Sequence, residues 1–368
     1  MKAEPEATLP FLPYGRQSLN DDDVDAVIEV LGGDWLTQGP AVGRFEAALA
    51  EATEARHAVA FSSGTAALHA ACAAGGLGPG DRVGVPALTF AASVACAVHV
   101  GASPVLLDVD PATLNLNPAA VPPGLDGLVA VHFAGLPVDL SVLPARPRVV
   151  IEDAAHALGA RTPSGPVGSC AASDMCCFSF HPVKPITTGE GGAVTTNDDG
   201  LAERLRSFRT HGTTPAPERG PWGYDIAAAG FNYRLTDLQA ALGTSQLHRL
   251  EGFIARRNEL ADGYRRKLAH LPLLLPAAAA DGWRHGYHLF PIQVSGRRHV
   301  YEALRAGGIG VQVHYVPIHH HTAFRYLAQP RDLPGTEQAY AGLLSLPLFP
   351  AMSDLDQDRV VVALGALL

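Results

Sequence analysis

HAVAFSSGTAALHAACAAGG (57–76) holds a strand, a turn and a helix in sequence. HAVAF (57–61) is a short apolar run ending in an aromatic residue. Gly64 to Ala74 is rich in Ala, the strongest helix former, and Gly75-Gly76 stops it. The same rhythm recurs downstream. RVGV (82–85), PVLLDV (104–109), GLVAVHF (127–133), RVVIE (148–152), MCCFSF (175–180) and GAVTT (192–196) are short apolar runs set between helical stretches or Gly/Pro turns. Strands without polar alternation are buried on both faces, so the pattern predicts an α/β fold: a mostly parallel sheet covered by helices. Upstream, Asn20 precedes Asp21, Asp22 and Asp23, and Val24, Val27, Ile28 and Leu31 follow at helical spacing until Gly32-Gly33. This is a capped helix with acidic residues at its positive end. After about residue 245 the rhythm changes. A charged helix runs from Arg249 to Lys267, strands are expected near 288–294 and 310–315 around a helix near 298–306, and a last helix covers roughly 354–367. Residues 1–245 therefore read as a large domain with an N-terminal arm, and 246–368 as a smaller α+β domain.

Composition narrows the function. Apolar residues make up 47% of the chain and charged residues 17%, enough for a large core. The 27 basic and 36 acidic side chains leave a net charge of −9, which argues against nucleic-acid or membrane-surface binding. Val83 to Leu107 lacks charge, but Pro86, Gly101 and Pro104 interrupt it, and it reads as strand–helix–strand. MKAEPEATLP (1–10) has no apolar core of a signal peptide. Cys72, Cys96, Cys170, Cys176 and Cys177 are odd in number and contain no C-x-x-C pair, which points to reduced thiols in a cytoplasmic protein.

The chemistry concentrates in SFHPVKPITTGEGGAVTTND (179–198), which puts one lysine on a turn between two core strands. A solvated loop lysine is the plain alternative. Lys184, however, is followed by Pro185, which keeps it extended, and an amine in a dry pocket becomes nucleophilic toward an aldehyde. In IEDAAHALGA (151–160), Asp153 lies just past a strand end, where open α/β sheets bind ligands. It can pair with a protonated pyridine nitrogen, or simply cap a helix. Ser63, Gly64 and Thr65 offer donors for a phosphate at a helix start; the same residues also make an ordinary tight turn. Ser179 could add a hydroxyl, and Phe90 could stack on an aromatic ring. There is no G-x-G-x-x-G and no P-loop. His319, His320 and His321 are consecutive, so their side chains are expected to diverge and to hold no metal.

Together these motifs resemble the nucleotide-sugar aminotransferases, fold-type I pyridoxal-phosphate (PLP) enzymes. The similarity runs from LPYGRQSL (12–19) and DWLTQGP (34–40) to LSLPLFP (344–350) and DQDRVVVAL (356–364). It implies that Lys184 carries the cofactor as a Schiff base, that Asp153 pairs with its ring nitrogen, and that His156 lies by its phenolic oxygen. It assigns phosphate binding to Ser179, Gly64 and Thr65. It also implies that Asn232, in FNYRLTDLQAALG, reaches the phosphate in the partner chain of a homodimer with shared sites. Tyr14, Thr37, His314 and Tyr315 become sugar-nucleotide contacts by resemblance, and Arg234 is a candidate for anionic substrate groups. HPVKPITTGEGGAVTTND and GIGVQVHYVPIH (308–319) resemble the branch that makes pseudaminic acid precursors. That branch uses L-glutamate to aminate C4 of a UDP-linked 4-keto-6-deoxy-N-acetylhexosamine. Another nucleotide-linked keto sugar, a PLP-dependent sugar dehydratase and a non-catalytic PLP-binding regulator stay open; dehydratases replace the lysine by histidine, and this chain keeps Lys184.

Overall fold

A computed structural model describes residues 10–368. The reading of residues 1–9 lies outside the described residues. Seven strands form the main sheet: β1 (His57–Phe61), β2 (Arg82–Pro86), β3 (Ser103–Leu107), β4 (Gly127–Val131), β5 (Val149–Asp153), β6 (Met175–Ser179) and β7 (Gly192–Thr196). Their order is β1-β7-β6-β5-β4-β2-β3. All neighbours pair in parallel except β7, which is antiparallel to both β1 and β6. The carboxyl ends of the other six strands therefore share one edge of the sheet.

Side chains alternate between the faces, as the period of two requires. Val59, Val83, Val85, Val129, Ile151, Cys177 and Val194 pack under α3 (Gly64–Ala74), α4 (Ala91–His99) and α5 (Asp199–Arg209). Ala58, Ala60, Cys176, Phe178 and Ala193 face the opposite way, against α2 (Pro40–Thr53) and α6 (Asp237–His248). The alternation separates two adjacent carboxylates on β5. Glu152 turns away from the cavity described below and is held by His132 Nε2 at 2.6 Å and by the Ser173 hydroxyl. Asp153 turns into that cavity. The strand runs one residue further than the sequence suggested, so Asp153 is the last residue of β5. All five cysteines are buried and free.

α1 (Asp21–Leu31) begins at Asn20 with a reciprocal capping box, as its sequence foretells. Its apolar stripe is not covered by the described residues, however: Val24, Ile28 and Leu31 are exposed, as are Trp35 and Leu36. Near the C-terminus, strands Leu273–Leu274, Phe290–Val294 and Leu343–Leu346 form an antiparallel sheet. α8 (Arg297–Ala306) and the C-terminal helix Asp354–Gly365 cover it. α7 (Leu250–Leu268) serves two cores, with Phe253 and Ile254 in one and Leu260, Tyr264 and Leu268 in the other.

The strand expected at 310–315 is absent. That segment makes one bridge to Leu12 at Ile309 and another to Ser345 at Gln312, so it is stitched between two elements without forming a ladder. Leu343–Leu346, beside it, is the strand that pairs with Phe290–Val294. Among the described residues no helix is long and apolar enough to cross a membrane.

Candidate active site

A cavity of about 420 Å³ opens at the carboxyl edge of the sheet. The residues that reach it come from strand ends, which is where an open α/β sheet leaves a crevice. Ser179 ends β6, Asp153 ends β5, Ser63, Gly64 and Thr65 follow β1, and Phe90 follows β2. Lys184 enters from the connection between β6 and β7, and Tyr14, His156, His314 and Tyr315, also expected, line the cavity as well.

Burial lowers the pKa of Lys184 to about 8, while the charge of Asp153 pulls in the other direction. About a tenth of the amine is then neutral at pH 7, against roughly one part in three thousand at the ordinary value. Asp153 is 6% exposed. Its Oδ2 accepts from Ser93 Oγ at 2.6 Å and its Oδ1 from the Ala155 N–H at 3.2 Å. Ser93 is in turn 2.7 Å from Thr89 Oγ1, so a Thr–Ser–Asp chain holds the carboxylate. Each oxygen keeps a further lone pair for a cationic partner.

His156 is fixed from both sides. The Ala134 N–H donates to Nδ1 at 3.2 Å, which leaves the ring proton on Nε2, 3.0 Å from Tyr315 Oη. Burial, then Lys184 and His314, push its pKa well below the ordinary value, so it is neutral. His314 is lowered to about 3 by burial and then by Lys184, and its Nδ1 is 2.9 Å from Ser345 Oγ. Burial, then Asp153 and Tyr14, raise the Tyr315 phenol and keep it protonated.

The start of α3 fits an anion. Ser63 Oγ accepts the Ala66 N–H at 3.1 Å as a helix cap, leaving its own hydrogen free, and the first N–H groups of α3 have no helical acceptor. A side chain at position 64 would fill this cradle, because its Cβ would lie 2.8 Å from Ser179 Cβ. An anion cradle, a buried carboxylate with spare acceptor capacity, an amine of lowered pKa and the half-exposed Phe90 ring together match the phosphate, pyridine nitrogen, aldehyde and ring face of PLP.

Three expected residues lie outside this cavity within one chain. Thr37 is exposed and bridges Thr236, Asn232 is exposed and bridges Thr210, and Arg234 lines a separate hollow with Gln38, Glu46 and Arg209. Conversely, Thr89, His181, Glu190 and His288 line the cavity without having been singled out. Thr89 and Ser93 stand four residues apart in PALTFAAS, a hydroxyl pair that could have drawn notice; His288 in GYHLF carries no local signal.

The histidine run also departs from expectation. His319 and His320 do not diverge: their Nε2 atoms lie 2.7 and 2.8 Å from Glu337 Oε1. The three side chains have the residue types and closeness of a metal site. They act as a clip between this loop and the helix Pro334–Gly342, away from the cavity. His321 points instead to the Val316 carbonyl, at 3.3 Å.

Comparison with known proteins supplies a family. The DegT/DnrJ/EryC1/StrS aminotransferase family matches residues 17–365. The spore coat polysaccharide biosynthesis protein SpsC of Bacillus subtilis is 37% identical over 96% of each chain. Spr1654 of Streptococcus pneumoniae, described as a sugar aminotransferase, superposes in its PMP form with a TM-score of 0.90 at 27% identity, covering 98% of each chain, and is also known in a PLP form. Helicobacter pylori PseC, an aminotransferase of pseudaminic acid biosynthesis, gives 0.89 at 28% identity, covering 97% of this chain and 98% of PseC. The chain thus belongs to the DegT/DnrJ/EryC1/StrS family and is a PLP-dependent sugar aminotransferase.

Proposed function

We propose that the enzyme transfers the amino group of L-glutamate to the C4 keto group of a UDP-linked 4-keto-6-deoxy-N-acetylhexosamine, as a step toward pseudaminic acid. The likeness to PseC carries this choice of sugar. The higher identity to SpsC favours a second reading, a different nucleotide-linked keto sugar destined for a polysaccharide. Purified enzyme, L-glutamate and a panel of UDP- and dTDP-linked 4-keto sugars separate the two. Amination confined to dTDP sugars, or to a sugar without the N-acetyl group, would overturn the first.

When bound, PLP supplies an electron sink for the carbanion left by loss of the donor's α-proton. In our reading Lys184 Nζ takes that proton as general base, and later returns one as general acid. Asp153 holds a proton on the ring nitrogen through its free lone pairs. His156 Nε2–H and the Tyr315 hydroxyl form a neutral hydrogen-bonding edge on the phenolic side. Gly64, Thr65 and the Ser63 and Ser179 hydroxyls bind phosphate, Phe90 covers the ring, and Tyr14 and His314 contact the sugar nucleotide.

Thr37, Asn232 and Arg234 serve the partner's site in a cytoplasmic homodimer. Their positions outside their own chain's cavity support this, as does the exposed patch of Val24, Ile28, Leu31, Trp35 and Leu36. A mixed-dimer experiment tests it. Lys184→Ala and Asn232→Ala chains are each strongly impaired alone, and co-refolding them places both lesions in one site of each mixed dimer. The other site is intact. Half of randomly formed dimers are mixed, so about a quarter of wild-type activity returns. An impaired Asn232 variant with no recovery in verified mixed dimers assigns Asn232 to its own chain.

A further inference from the structure

Most polar side chains in the cavity are already engaged: Asp153 with Ser93 and Ala155, His156 with Ala134 and Tyr315, His314 with Ser345. His288 differs. It is 4% exposed, it lines the cavity, and its Nδ1 is buried without a hydrogen-bond partner among the described residues. Of the buried polar atoms left in that condition, the others belong to Arg249, Arg257 and His319, none of which lines this cavity. Native proteins rarely leave such an atom unpaired, and at the wall of a binding cavity a ligand atom can supply the partner.

The backbone that carries the ring is anchored. Arg257 Nη1 donates to the carbonyls of Tyr287 and His288 at 3.2 and 3.3 Å. The Leu289 N–H donates to the Ala134 carbonyl at 3.3 Å. On its cavity side the imidazole packs on His156, with centroids 4.5 Å apart and planes at 45°. A half-turn about Cβ–Cγ exchanges ring nitrogens with ring carbons, so either nitrogen can be offered without backbone movement.

The chemistry of the ring selects its partner. Burial, then Lys184, His156, Arg257 and His314, hold its pKa well below the ordinary value, so it is neutral. A neutral imidazole presents one N–H and one lone pair, the complement of a hydroxyl group, which carries both. The donor's carboxylates only accept and call for a cation. We propose that His288 is a substrate-binding residue that hydrogen-bonds a hydroxyl of the keto sugar and orients its ring over Lys184.

The proposal rests on the sugar-aminotransferase reading and is independent of which nucleotide carries the sugar. Its test separates the half-reactions in cofactor-loaded enzyme, followed by absorbance in single turnover. In H288F the half-reaction with L-glutamate stays within about twofold of wild type. The half-reaction with whichever UDP- or dTDP-linked 4-keto sugar the wild type accepts weakens about 10–100-fold in apparent affinity, the loss expected for one hydrogen bond with its desolvated partner. H288N, whose amide reaches the level of Nδ1, recovers most of it. Calorimetric binding of the amino-sugar product to the loaded enzyme follows the same order and needs no turnover. If H288F loads cofactor poorly, H288L is measured in its place. Equal damage to both half-reactions, or unchanged sugar affinity in an active apolar variant, would falsify the assignment of His288 alone. Wild-type enzyme that aminates no keto sugar at all overturns the function, and this proposal with it.

Discussion

Lys184→Ala folds, binds PLP weakly and has lost transamination by about 10⁴-fold or more, since both the covalent anchor and the proton carrier are gone. The mutant, mixed with PLP and desalted, lacks the visible absorbance of lysine-bound cofactor that wild type retains. Turnover near the wild-type rate would remove Lys184 from the reaction. The lowered pKa adds a second, independent signature. Cofactor-free wild type captures PLP through the neutral amine, whose fraction rises as pH climbs toward the folded-state pKa of about 8. Capture therefore speeds up about tenfold per pH unit below that point and levels off above it. A rise continuing unchanged to pH 10 would mean an ordinary, solvated lysine.

The other large effect belongs to Asp153→Asn. Its hydrogen-bonding shape is nearly unchanged, so Ser93 and Ala155 keep partners and thermal stability moves little. The negative charge is lost, and with it the means of keeping the cofactor nitrogen protonated. The catalytic rate falls by about 10²-fold or more while cofactor binding largely persists. A rate close to wild type would reduce Asp153 to a cap on the turn at Ala155.

Much of this was legible in the chain itself. Strands such as HAVAF and GAVTT, bounded by Gly and small-residue turns, begin and end where their sequences indicate, as does the helix that Asn20 caps. Lys184, Asp153 and the Ser63–Thr65 turn could be read because each sits beside a core strand whose end determines where it points. What failed depended on distant partners. GIGVQVHYV alternates like a strand, yet its edges are divided between Leu12 and Ser345, and no ladder forms. Three consecutive histidines look divergent until Glu337 draws two of them together. Ser93 and His288 touch cavity residues about 60 and 130 positions away, a separation no local periodicity encodes.

The cavity is lined from Tyr14 to Tyr315, and Leu12 is bound through its backbone to Gly308 and Gly310. This arrangement has a consequence for how the enzyme matures. At the usual pace of translation, roughly 5–20 residues per second, the N-terminal segment waits about 15–60 s for the partner it will lie against. Strands β1 to β7 and their covering helices emerge during that wait, well before the wall bearing His288, His314 and Tyr315. A ribosome-bound chain therefore displays Lys184 in an open crevice, with the burial that lowers its pKa still incomplete. Capture of the aldehyde is a late event that follows release of nearly the whole polypeptide, and truncations that remove the last wall yield chains that fold in part yet stay colourless.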